Sequence, residues 1–168
     1  VSTNAAGQIR TGWSDVPAVN ADGRYVTFAS DAPDLVPGYT PGHGDVFRKE
    51  LAVPQYFYFA EGYTGGGFEE YLCLGNPVDS PLEVTVTYLF RDGSPQVART
   101  YSVPALSRYT VNVNSEAGPD KEVSMECRAD WPFVAERPMY FNYNGVWTGG
   151  HDTVGANHTS DRWYFAEG

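Results

Sequence analysis

Hydrophobic and polar positions alternate along most of the chain after residue 54. "LEVTVTYLF" places Leu82, Val84, Val86, Tyr88 and Phe90 on one face, and "RDGS" turns the chain back into "QVARTYSV". "RYTVNVN", "EVSMECRA" and "FVAERPMYFNY" follow at regular spacing, and Asn144-Gly145 marks a hairpin before "VWTGG". A period of two is that of a half-buried strand. The earlier residues carry shorter strands around "ADG" and "SDAPD": Ala18 to Asn20, Arg24 to Ala29, and Asp45 to Leu51. The change of pattern divides the chain into residues 1–53 and residues 54–168.

Seven or so strands in roughly a hundred residues predict an immunoglobulin-like β-sandwich for the second part, and the whole chain is expected to be all-β. Composition agrees: Gly 18 and Pro 12 punctuate strands, while Tyr 12 and Phe 9 suit a pleated, half-buried surface. The formal charge of -10, spread along the chain with no acidic tail, argues against nucleic acid and anionic membrane surfaces as partners. No apolar run approaches the ~20 residues of a membrane helix, so membrane insertion is not expected. With no Met at its start, the chain reads as a mature form or an excised piece.

One string occurs twice. Phe57 aligns with Trp163, and Tyr58 to Gly62 (YFAEG) align with Tyr164 to Gly168, an interval of 106 residues. That is the length of a domain. Together with "YTGGGFEEYLCLGNP", the "VTVTYLFRDG" hairpin, "VPALSRYTVNV" and "ERPMYFNYNGVWTGGHDTVGA", residues 55–168 resemble an uncharacterised repeated domain of large bacterial surface proteins in which YFAEG begins each copy. The resemblance implies an extracellular module in an array and supplies no catalytic residues. In the first part, "SDVPAVNADGRYVTFASDAPDLVPG" followed by "DVFRKEL" resembles one repeat of the TolB-like, WD-type propeller proteins, departing from them at "GYTPGHG". This N-terminal, propeller-blade-like segment needs a neighbour to cover it, because a small sheet with two apolar faces does not stand alone.

Candidate chemistry is sparse. His151, Asp152 and His158 lie in a Gly-rich stretch, but their spacing fits no zinc pattern and a surface loop accounts for them. Glu61, Glu69, Glu70 and Glu136 are the carboxylates a glycosidase would need. Glu69 and Glu70 point to opposite faces of a strand, however, and Glu136 has Arg137 beside it as a structural ion-pair partner. "YTGGGF" lacks the Lys and helix of a phosphate loop, so its glycines are expected to serve a positive-φ connection. Asp31, Asp34 and Asp45 offer oxygens of the kind calcium takes, in no EF-hand spacing, and Asp also starts turns. Asn157-His158-Thr159 is a glycosylation sequon.

Cys73 and Cys127 are candidates for one disulfide, against which strand parity turns Cys73 outward if Phe68, Leu72 and Leu74 face the core, while Cys127 shares parity with Val123 and Met125. The sequence leaves the bridge open. Aromatic residues exceed what one small core absorbs, and Tyr140, Tyr143 and Trp147 form a candidate ligand or interface patch. These readings combine into a non-enzymatic, extracellular or cell-surface building block. Its partners are other copies of itself, and Trp163, Tyr164, Phe165, Ala166 and Glu167 are the self-association segment, offered to a neighbour's sheet edge to build a filament. A carbohydrate-binding or adhesion module is the alternative, with glycans as partners, and a glycoside hydrolase fragment ranks below it. No cofactor is required beyond the calcium considered above.

Overall fold

The computed structural model describes residues 12–21, 23–33, 35–36 and 44–162, and the chain forms two units, Val1–Val53 and Pro54–Gly168. In the first, β1 (Ser14–Val19), β2 (Tyr25–Ser30) and β3 (Asp45–Glu50) make an antiparallel sheet in the order β1-β2-β3. Strand β1 begins at Ser14 rather than the expected Ala18, because Pro17 falls in a bulge where no ladder donor is needed. Val16 takes φ 54° there. The β1–β2 turn is set by Asn20, whose side chain accepts from the Tyr25 amide at 2.8 Å. Strand β2 buries alternate residues Val26, Phe28 and Ser30. Phe28 stacks on Phe47 at 5.8 Å between ring centroids.

The second unit is a β-sandwich. Its strands are β4 (Gln55–Phe59), β5 (Phe68–Asn76), β6 (Leu82–Phe90), β7 (Val97–Val103), β8 (Ser107–Asn112), β9 (Val123–Ala129), β10 (Val134–Glu136), β11 (Met139–Tyr143) and β12 (Trp147–His151). One sheet runs β4-β9-β6-β7. In the other, β5 pairs β8 on one side and both β10 and β11 on the opposite side, and β11 pairs β12. The crossed pairs β5–β8 and β6–β9 are those an immunoglobulin-like sandwich forms between its second and fifth and its third and sixth strands. The first strand β4 lies beside β9, however, and β10 beside β5, the reverse of the immunoglobulin assignment of outer strands.

Alternation decides the core. Leu82, Val84, Val86 and Tyr88 of β6 are buried, as are Leu72 and Leu74 of β5, Val123, Met125 and Cys127 of β9, and Val111 of β8. Each aliphatic side chain so buried contributes about 1.5–3 kcal/mol. Tyr88 carries a polar group inward, and its hydroxyl hydrogen-bonds that of Tyr101 at 2.9 Å.

Two segments depart from the expected strands. "RYTVNVN" does not continue to Asn114, because a short helix α1 (Val113–Ala117) begins at Val113. The Asn112 side chain accepts from the Ser115 amide at 3.0 Å, and Gly118, at φ 85°, ends the helix, so caps override strand propensity here. "FVAERPMYFNY" is split at Arg137-Pro138, since Pro138 has no donor to extend the ladder.

Cys73 and Cys127 are both free, which decides the open disulfide against the bridge. Cys73 faces outward from β5 beside Thr110 on β8, while Cys127 is buried on the inner face of β9. Their opposite parity about the core keeps the sulfurs apart. Burial pushes the Cys127 thiol up to about 12, so it is an unreactive core side chain.

Candidate functional site

The first YFAEG explains a cleft at one end of the sandwich. Strand β4 pairs with β9 from Gln55↔Ala129 to Phe59↔Met125, and pairing resumes at Tyr63↔Glu122. Ala60, Glu61 and Gly62 therefore span the two positions Val123 and Ser124, so Ala60 and Glu61 bulge into solvent. Two adjoining concavities, of about 630 and 760 Å³, share Ala60, Glu61, Leu89 and Ser124 as walls.

The far wall is residues 153–156, which stitch the two sheets together. Arg137 donates its amide to Thr153 at 2.8 Å and Gly155 donates to Ala135 at 3.1 Å on one side. Tyr58 and Ala156 exchange both backbone bonds on the other, at 2.8 and 3.0 Å. Gly155 lies against the Phe59 ring and the Phe57 Cβ, where a Cβ would meet Phe59 at 2.8 Å. Phe57 in turn packs edge-on to Phe133. The inward Phe57 and Phe59 thus belong to the core, while Tyr56 and Tyr58 stack face to face outside it, 5.9 Å apart and 5° from parallel.

Charge enters the interior at the floor of the larger concavity. Glu70 is fully buried on β5, in parity with Leu72 and Leu74, and Arg137 is 7% exposed, in parity with Ala135 and Met139. Among the described residues neither Glu70 oxygen has a hydrogen-bond partner, nor does Arg137 Nε. Burial pushes the Glu70 carboxyl up to about 7, against the opposing pull of the Arg137 guanidinium and of the Tyr63 amide, which faces it short of hydrogen-bond alignment. The Glu70 backbone is pinned by Asn114, whose Oδ1 accepts from its amide at 2.8 Å. Gly62 is the roof, for a Cβ there would collide with both carboxylate oxygens.

The expected Glu136–Arg137 pair is corrected by this arrangement. Glu136 and Arg137 have opposite parity, so Arg137 turns inward to Glu70 while Glu136 faces out. Parity was the available signal for both buried charges. Glu69 and Glu70 do point to opposite faces, as the alternation required. The glycines of "YTGGGF" include Gly66 and Gly67 at φ 59° and 83°, the positive-φ connection anticipated.

The remaining candidates are scattered. His151 ends the exposed strand β12, whereas His158, whose Nδ1 contacts Asn157 Oδ1 at 2.8 Å, lines the cleft. Among the described residues no group of three or more His, Cys, Asp or Glu is gathered as metal ligands. The Asp31 carboxylate accepts from the Trp13 amide at 2.7 Å, a contact between residues 18 apart at the end of the β1–β2 pair, and Asp45 begins β3. Asp34 lies outside the described residues. Tyr140 and Trp147 are not one patch. Tyr140 pairs in register with Gly150, which places it on the opposite face of the hairpin from Trp147, and its ring packs on Tyr71. The Tyr143 side chain lies outside the described residues, as do Trp163, Tyr164, Phe165, Ala166 and Glu167.

No protein-family model matches the chain, and no curated protein matches it. Among solved structures, the chain is similar to Thermotoga maritima 1070, with 20% identity, a TM-score of 0.57, and coverage of 62% of this chain and 94% of that one. That similarity shows a shared fold. A sensory rhodopsin transducer from Anabaena aligns at 22% identity and a TM-score of 0.43, over 49% of this chain and 85% of its own.

Proposed function

We propose that the chain is a non-enzymatic structural module of an extracellular bacterial surface protein, one unit of a series whose copies join by β-strand pairing. The observation that carries this reading is the role of the first YFAEG. Its strand supplies Phe57 and the buried Phe59 to the sandwich core, and in sequence Trp163 and Phe165 align with these two core-facing positions. Within a second module that strand completes its own sandwich, and offered to another copy it completes an open edge.

Strands β7, β8 and β12 each pair on one side only among the described residues. Strands β7 and β8 carry Arg99 and Arg108, charges of the kind that discourage edge pairing. Strand β12, "WTGGH", is exposed throughout and has no Lys, Arg, Pro or bulge. We assign β12 as the acceptor edge. A strand donated to it gains main-chain hydrogen bonds, and a head-to-tail contact of this kind propagates into an open array. The N-terminal sheet is read here as a blade-like unit of the same surface protein.

Light scattering of the full chain tests the proposal. Mass is expected to rise with concentration, and the W163S/F165S variant is expected to stay monomeric while keeping its melting temperature. Thr148→Lys, a charge placed on the exposed edge, is expected to weaken assembly in the same way. A wild-type chain that stays monomeric at every concentration, or variants that assemble as it does, would overturn the reading.

A further inference from the structure

We propose that the cleft at Arg137 binds a small carboxylate ligand, its acid group on the Arg137 guanidinium and its body along the wall formed by Tyr58 and Leu89. The concavity, at about 760 Å³, falls within the range of sites that hold small organic molecules. Arg137 lines it from the floor, 7% exposed and with an unpartnered Nε. A guanidinium is a planar fork of donors that matches a carboxylate in bidentate fashion, and burial strengthens that match by excluding water. Met125, Val154 and Ala156 supply apolar surface, and Thr153 and Ser160 supply hydroxyls.

The groups facing Arg137 define what enters. Glu61, Glu126 and His158 line the cleft with it, and Tyr58 stands opposite Glu126 in the β4–β9 ladder. Two carboxylates in these walls repel a phosphate or a polyanion more than a single acid group on a body bearing hydroxyls or an ammonium. The shared chemistry is therefore one carboxylate on a compact polar frame, as in a hexuronic acid or a free α-amino acid.

Glu70 makes the site proton-linked. It faces Arg137 and Tyr63, and it is the anion the ligand must displace electrostatically. A second carboxylate beside the guanidinium favours the neutral form of Glu70, so a proton is taken up as the ligand enters wherever Glu70 is ionised, from about pH 7 upward. With the Glu70 carboxyl at about 7, affinity falls as pH rises through that value.

Calorimetric titration of the full chain with galacturonate and with lysine tests this, using galactose and lysinamide as counterparts lacking the acid. At least one acid is expected to bind at pH 6, its counterpart about tenfold or more weaker, with affinity dropping about tenfold by pH 8. At pH 8, where Glu70 is ionised in the free protein, the heat is expected to vary with the ionisation enthalpy of the buffer in the sense of proton uptake, and at pH 6 this dependence is expected to be small. Which acid binds identifies the frame. Arg137→Lys keeps the charge that faces Glu70 but loses the fork, so it is expected to keep its melting temperature and bind about tenfold more weakly. Absence of heat with both acids at pH 6 would overturn the proposal. Equal binding of acid and counterpart, pH-independent affinity, or undiminished binding by the folded Arg137→Lys protein would do the same.

Discussion

At pH 8, Arg137→Met is expected to destabilise the protein by about 3–5 kcal/mol, the cost of leaving a buried carboxylate without its compensating charge. The same substitution at pH 5 is expected to cost far less, because Glu70 is then protonated and no anion is stranded. Glu70 itself sets the pH profile of the wild-type protein. Its folded value of about 7 lies above the 4.5 of an exposed glutamate, so below 4.5 the folded and unfolded chains both hold the proton and the stability is complete. As pH rises through 7 the folded chain must give up a proton the unfolded chain has already lost, and about 3 kcal/mol is lost across that window. Glu70→Gln is expected to flatten this slope. Urea unfolding of wild type, R137M and E70Q at pH 5 and 8 measures all three, and an R137M loss independent of pH would assign Arg137 a packing role instead.

The paired substitution E70L/R137M separates charge from volume. If the two residues are a mutually compensating pair, apolar replacements of similar size restore most of the stability lost in R137M, since desolvating two charges offsets much of what their attraction returns. Stability of the double variant no better than that of R137M at pH 8 would show that the pair matters through its shape.

Much of this arrangement was legible from period-two alternation. Phe68, Leu72 and Leu74 place Glu70 inside by the same count that places Cys73 outside, and Ala135 and Met139 do so for Arg137. The same count separates the inward Phe57 and Phe59 from the outward Tyr56 and Tyr58. What alternation cannot supply is which strand lies beside which in the sheet. Glu70 and Arg137 meet because β5 pairs both β10 and β11, a long-range choice fixed by the summed packing of the sandwich. Adjacency in sequence hid this by making Glu136 look like the natural partner of Arg137. Residues 153–156 carry no apolar period that would mark them as a strand. Their strand-like bonds to Ala135 and Tyr58 form only once two sheet edges stand close together. Helix α1 was legible in principle, since Asn112 and Gly118 are capping residues at the spacing of one short helix, but the valines at 111 and 113 favoured a strand.

Gly62→Ala is expected to cost about 1–3 kcal/mol, although it adds a single methyl group in a segment that looks like a surface turn. The glycine is buried, and its missing side chain is the space that the Glu70 carboxylate occupies. The backbone has little room to yield, because the Gly62 carbonyl accepts from the Val123 amide at 3.0 Å and Tyr63 is already bridged to Glu122. Relief must come from Glu70, which is held at its own backbone by Asn114 and is drawn toward Arg137. Shortening that side chain withdraws the carboxylate by one methylene. In a double-mutant cycle, Glu70→Asp is therefore expected to recover a measurable part of the Gly62→Ala loss, with a coupling energy above the ~0.5 kcal/mol scatter of independent sites. Strict additivity would mean that the glycine of YFAEG is required for its backbone alone. Coupling would tie the last residue of the repeated string to the buried charge pair, giving the motif a physical reason for each of its inward positions.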